Sequence, residues 1–319
     1  MTVYDVFNGD ADGICALTQY RLAFPAESVL VTGVKRDINL LKRVEAEPGD
    51  QITVLDVSLD KNRDGLIRLL MQGATIFYAD HHFAGEIPQN ERLTAAIDTA
   101  PNICTSILVN NHIGGGFRLW GVTGAFGDNL DESARELAAG DFDEDVLAQV
   151  KNLGTYLNYN GYGKSLDDLH FAPADLYKKV SKHASPIDFI ESDVDTFGAL
   201  QAGYTDDMAS AQSAKPVREP GDTAVYILPN EKWARRVSGV YSNGLARATP
   251  SRAHAVLTNK ADGTFLVSVR APLDNKTGAD ELCRSFPTGG GRKAAAGINA
   301  LPADMLDTFI DRFSAFYAR

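Results

Sequence analysis

The stretch "ATIFYADHHFAG" drives an apolar run straight into Asp80, His81 and His82. Burying a carboxylate and two imidazoles is costly unless they are paired or hold a metal ion. More carboxylates close other short segments: Asp10 and Asp12 in "FNGDADG", Asp56 in "LDVS" and Asp128 in "GAFGDN". Each alone reads equally well as a helix N-cap or a turn former. Gathered in one crevice they would repel one another and need cations to offset the repulsion. Mixed Asp and His donors suit Mn2+, and carboxylate-rich sites also accept Mg2+. Asp10 and Asp12 lie two residues apart, so a turning backbone lets them reach different ions.

The elements that must position these groups alternate regularly. "TVYDVF", "SVLVTGV", "QITVLDV", "ATIFYAD" and "LTAAID" have strand character. Between and after them lie helix candidates: "GICALTQYRLAF", "NLLKRVEA", "NRDGLIRLLMQ" and "ICTSILVNNHI". Strands alternating with helices predict βαβ units and a parallel sheet covered on both faces. Ligands of open parallel sheets bind beyond the carboxyl ends of the strands, where the candidate groups lie. Residues 131–192 lean helical. The polar, small-residue stretch "TDDMASAQSAKPVREPGD" reads as a connecting segment, with helix plausible for part of it. Strand signals return in "TAVYILP" and "HAVLTNKADGTFLVSVR", followed by a Gly-rich turn and a closing helix, "DMLDTFIDRFSAFYA". The expected class is α/β: a parallel-sheet domain over 1–192, a connection over 193–221 and a smaller α/β domain over 222–319.

The chain has 319 residues, 44% of them hydrophobic, enough for two cores. Its 3 cysteines have no metal-type spacing and suggest a reducing compartment. The N-terminus lacks the basic flank of a signal peptide, and no apolar run approaches the roughly 20 residues of a membrane span. The expected location is cytoplasmic, away from membranes. A net charge of −11 argues against gripping long duplex nucleic acid, which favours basic surfaces.

The ordered set "DADG", "LDVS", "ADHH", "GAFGDN" resembles the four metal motifs of the DHH phosphoesterase superfamily, which includes RecJ-type exonucleases, NrnA-type oligoribonucleases and family II pyrophosphatases. By this resemblance Asp10 and Asp56 would hold one ion. Asp12, Asp56, His81 and Asp128 would hold a second, with Asp56 bridging. His82 would face the substrate phosphate, and Asp80 would fix a histidine tautomer. Many relatives carry a histidine ligand where this chain has Asn8. Near the C-terminus, "TGGGRKAAAGI" resembles the GGGHxxAAG signature of the DHHA1 domain, with Gly289, Gly290 and Gly291 matching and Arg292 replacing the histidine. Glycine N–H groups and an arginine can bind a phosphate. Arg270, in "LVSVRAP", matches a strand arginine of that domain.

Together these features imply an enzyme with two Mn2+ ions, Mg2+ being the other candidate. The ions would activate a shared water and offset charge on phosphorus. The implied substrate is a short oligonucleotide, above all a 5′-phosphorylated dinucleotide such as pGpG, cut to nucleoside monophosphates. Other readings stay open: a pAp phosphatase, a single-strand exonuclease, a pyrophosphatase or a non-catalytic nucleotide sensor. The sequence leaves a homodimer open. "YLNYNGYG" reads either as a base-stacking loop or as a capped helix end with core tyrosines. Trp120 and Trp233 read as packing residues, and His183 and His254 as surface or satisfied structural histidines.

Overall fold

The computed structural model describes residues 1–219 and 221–318; Pro220 of the expected connection and Arg319 at the chain end lie outside them. The chain divides into two units, Met1–Ala202 and Gly203–Arg319. Unit 1 begins β1 (Val3–Phe7), α1 (Ala11–Ala23), β2 (Val29–Val31), β3 (Gln51–Leu55), α2 (Leu59–Met71), β4 (Thr75–Asp80) and β5 (Leu93–Ile97). It continues with α3 (Thr105–His112), α4 (Arg118–Gly127), α5 (Asp131–Ala138), α6 (Glu144–Gly161), α7 (Pro173–Val180), α8 (Pro186–Ser192) and α9 (Val194–Gln212), whose end passes into unit 2.

The five strands form one parallel sheet in the order β2-β1-β3-β4-β5. Phe7 pairs with Leu55, and Leu55 with Ala79. This register sets the residues that follow, Asn8, Asp56 and Asp80, in one row at the carboxyl edge. Asn8 N donates to Leu55 O at 3.2 Å and Asp56 N to Ala79 O at 3.1 Å, extending the ladder by one step. Strand side chains alternate between faces. Val6, Val54, Ile76 and Tyr78 pack into a core with Leu59, Leu66 and Leu69 of α2. On the other face Asp5, fully buried, accepts from Arg21 Nε of α1 at 2.8 Å, Arg21 Nη2 at 2.5 Å and Ser28 Oγ at 2.6 Å. Trp120 is buried, and its indole N–H donates to His183 O at 3.1 Å.

Unit 2 contains β6 (Thr223–Leu228), α10 (Lys232–Ala248), β7 (Ala253–Asn259), β8 (Phe265–Arg270), α11 (Ala279–Arg284), β9 (Gly289–Gly291), β10 (Ala295–Leu301) and α12 (Leu306–Tyr317). The sheet order is β6-β7-β8-β10-β9, with β6 and β7 parallel and the other pairs antiparallel. Ala253, Ala255, Leu257, Val267 and Val269 pack with Leu282 of α11 and Phe309 and Phe313 of α12. The α/β class holds for both units.

Two expectations about elements need correction, and a third, that part of the connection is helical, holds. "NLLKRVEA" forms only a single turn of 3-10 helix, Leu41–Arg43, because Asn62 of α2 reaches in and caps the Leu41 N–H at 3.1 Å. The connection is mostly the helix α9. The Gly-rich run is not a turn but an edge strand, hairpinned to β10 through Arg292 and Ala295. Gly291, at φ +138°, lies where a Cβ would stand 2.5 Å from Ala296 Cα, so packing alone requires glycine there.

His254 on β7 is 2% exposed, sits opposite Arg270 and has no partner at Nδ1. Burial, helped by the Arg252 charge, pushes its pKa down to about 4. The folded form stays neutral while the unfolded histidine titrates near 6.5. Its contribution to stability is therefore complete above pH 6.5 and is lost as pH falls toward 4. At pH 5 the cost is about 2 kcal/mol. Urea titrations at pH 7 and pH 5 should show that extra loss in the wild type and its disappearance in His254→Leu.

Candidate metal centre

The carboxyl edge of the unit 1 sheet collects the expected groups from successive strands. Asp10, just past β1, is 2% exposed and caps α1, accepting from Gly13 N at 3.1 Å. Asp56, just past β3, is 2% exposed and holds the left-handed backbone, φ +57°. Aspartate tolerates that region better than most residues, and such strain gathers at functional sites. His81 and His82 follow β4. Asp128 ends α4, which comes close because Gly127 has no side chain: a Cβ there would lie 2.3 Å from Ala11 Cβ of α1.

His81 Nδ1 lies 3.0 Å from Ile103 O, and the carbonyl can only accept, so this nitrogen carries a proton. Nε2 is left to face Asp56 Oδ1 at 3.5 Å and Asp128 Oδ2 at 3.8 Å. His82 Nδ1 lies 2.7 Å from Asp80 Oδ1 and 3.8 Å from Asp56 Oδ1. Asp80 is fully buried, and its Oδ2 has no hydrogen-bond partner. Among the described residues, Asp56, His81 and His82 form a group whose donor atoms lie within 4.8 Å of one another. Two ligands held at ~2.1 Å on one cation stand roughly 3 Å apart, so small movements would close these distances.

Asp12 stands outside that group. Its oxygens accept from the N-terminal amides of α3, Thr105 N at 2.8 Å and Ser106 N at 2.7 Å. Asp10 Oδ2 accepts from Lys35 Nζ, a partner not anticipated from the sequence. Lys35 also donates to Asn158 Oδ1 of α6 at 3.0 Å and lies 3.9 Å from Asp128 Oδ1. The only sequence signal for Lys35 was its place just past a strand, in "TGVKRD". "YLNYNGYG" proves to be the end of α6 and the turn after it, with Tyr156 and Tyr159 buried.

The electrostatics fit a cation site. Burial and the charges of Asp10 and Asp12 push the Asp56 carboxyl well above its usual range. Asp128 is raised by burial, against which Lys35 works. Burial alone would lower His81, but Asp56 beside it raises its pKa to about 10. Without a divalent cation the edge holds protons instead, and a cation would displace them. Two thiols border the site: Cys15 in α1 and Cys104, the N-cap of α3, both buried and both raised by burial and by the charge of Asp12.

The remaining candidates belong to unit 2. Arg270 donates from Nε to Asn243 Oδ1 of α10 at 2.6 Å and from Nη1 to Ser268 Oγ at 3.0 Å. Gly289, Gly290 and Gly291 form the edge strand, and Arg292 is exposed in the hairpin beside it.

No protein-family model matches the sequence, and no curated protein matches it significantly. Solved structures do match. A manganese-bound exonuclease RecJ aligns with TM-score 0.64 at 16% identity, covering 100% of this chain and 90% of that one. RecJ of Thermus thermophilus with Mn2+ gives 0.66 at 17% identity, over 100% of this chain and 52% of the other. A pGpG-specific phosphodiesterase, PggH of Vibrio cholerae, gives 0.55 at 15% identity over 98% of each chain. These identities establish a likeness of fold. The chain shares the fold of these RecJ and PggH structures, in line with the fold that the resemblance of its motifs implied.

Proposed function

We propose that this chain is a divalent-metal-dependent phosphoesterase that hydrolyses short oligonucleotides, foremost 5′-phosphorylated dinucleotides such as pGpG, to nucleoside monophosphates. The observation that carries the reading is the grouping of Asp56, His81 and His82 at the carboxyl ends of adjacent strands. The fold shared with RecJ and with a pGpG phosphodiesterase supports it. The charge of −11 favours a short anionic substrate over a long one.

Asp56 and His81, with Asp128, would hold a divalent cation, Mn2+ before Mg2+ because imidazole is among the donors. That cation supplies an activated water and offsets the charge that builds on phosphorus. Asp80 holds His82 at Nδ1, so that Nε2 of this half-exposed ring, when both ring nitrogens carry protons, would donate to a phosphate oxygen or to the leaving oxygen. Arg270, Arg292 and the edge strand Gly289–Gly291, where the Gly289 N–H is already spent on Phe286 O at 3.2 Å, are the proposed phosphate contacts of unit 2.

Incubating the protein with Mn2+ and pGpG, pAp, pyrophosphate or a length series of single strands, then separating the products, tests the reading. Turnover concentrated on the dinucleotide is expected. Turnover of pAp alone makes the chain a phosphatase, and preference for longer strands makes it an exonuclease. Tight nucleotide binding without turnover makes it a sensor. Arg292→Ala should raise KM about tenfold and leave kcat unchanged, as expected for a charged contact made equally in ground and transition states. A pure kcat loss would contradict that placement.

A further inference from the structure

Of the two cation places expected at this edge, one already has an occupant. The donors expected for that ion were Asp10 and Asp56, with Asn8 where a histidine ligand often stands. Both oxygens of Asp10 are engaged, Oδ1 by Gly13 N at 3.1 Å and Oδ2 by the ammonium of Lys35. The lysine is built in. Its ammonium donates to Asn158 Oδ1, 3% exposed, at 3.0 Å, and lies 5.4 Å from the centroid of the Tyr162 ring. Its own N–H donates to Gly161 O at 2.8 Å, and its carbonyl accepts from Asn8 Nδ2 at 3.3 Å. Asn8 thus spends its amide nitrogen fixing the lysine backbone. What remains for a second ion is the neutral Asn8 Oδ1 atom and a share of the Asp56 carboxylate, which the first ion also needs.

Asp128 joins the two halves of the site, with Oδ1 3.9 Å from Lys35 Nζ and Oδ2 3.8 Å from His81 Nε2. We infer that the Lys35 ammonium takes the place of one of the two expected divalent ions, so that each chain binds one ion, held around Asp56, His81 and Asp128. An ammonium is a compact point charge. At this position it offsets the repulsion between Asp10 and Asp128, the task a second cation would otherwise perform. A dication replacing it would have to break the Asp10 contact and leave a partly buried ammonium without its carboxylate.

The inference rests on the metal-centre reading above, but its test uses no substrate. Metal-free protein is dialysed against Mn2+, bound metal is counted by atomic emission, and the spectrum is read by electron paramagnetic resonance. The wild type should hold one ion per chain with the six-line signal of an isolated Mn2+. Lys35→Met should hold two, with the signal of a coupled pair, while Lys35→Arg stays at one. A wild-type count of two, or a folded Lys35→Met that stays at one, overturns the inference. A chain that binds one ion and hydrolyses nothing keeps the inference and loses the proposed function.

Discussion

Asp56→Asn is expected to lower dinucleotide turnover by at least about a thousandfold, or ~4 kcal/mol of transition-state stabilisation, while making the metal-free protein more stable. The amide keeps the size of the carboxylate, and asparagine shares its tolerance of the φ +57° backbone at this position. What disappears is a buried acid that, when no cation is bound, must either take up a proton or repel Asp10 and Asp12, and either course opposes folding. Relief of even 1 kcal/mol raises the melting temperature of a domain this size by about 2–4 °C. Saturating Mn2+ should raise the melting temperature of the wild type, by mass action, and barely move the variant. An active Asp56→Asn would remove Asp56 from the centre. A lowered melting temperature would show that the carboxylate is not a source of strain.

Arg21→Met is expected to destabilise unit 1 by about 3–5 kcal/mol, as measured by urea unfolding. The Asp5 side chain is fully buried, and the guanidinium supplies two of its charged hydrogen bonds, leaving Ser28 alone when it is removed. The size of the effect comes from the stranded carboxylate rather than from the worth of the pair. The double variant Asp5→Leu/Arg21→Met should therefore recover most of the loss. A single-variant cost below about 1 kcal/mol would mean that water reaches Asp5. Because β1 runs from Asp5 directly to Asn8 and Asp10, the single variant should also loosen the metal edge.

The sheet was legible because apolar runs alternate with helical ones, and parallel topology then sends every strand end to one edge. The row of Asn8, Asp56 and Asp80 could be guessed from that, but its registration could not, since pairing is a tertiary choice. Lys35 carried no motif. Its partner Asn158 is 123 residues away in sequence, so nothing local marks the contact. α9 reads as a connection because small and polar residues hide its periodicity. α10 escaped notice because glycines and serines interrupt "KWARRVSGVYSNGLARA". The glycine run suggested a turn because glycine usually marks one, whereas here close backbone approach to β10 demands it at an edge strand.

The sulfur atoms beside the site bear on metal choice. Only a thiolate is a strong soft ligand or a nucleophile, and the surroundings of Cys15 and Cys104 keep both protonated at neutral pH. A thiophilic ion such as cadmium arriving at this edge finds oxygen and imidazole donors, and gains a sulfur ligand only by displacing the proton of a buried thiol. The same protonation shields both cysteines from alkylating agents and peroxide, so oxidative stress would reach the centre through its metal before it reached its thiols.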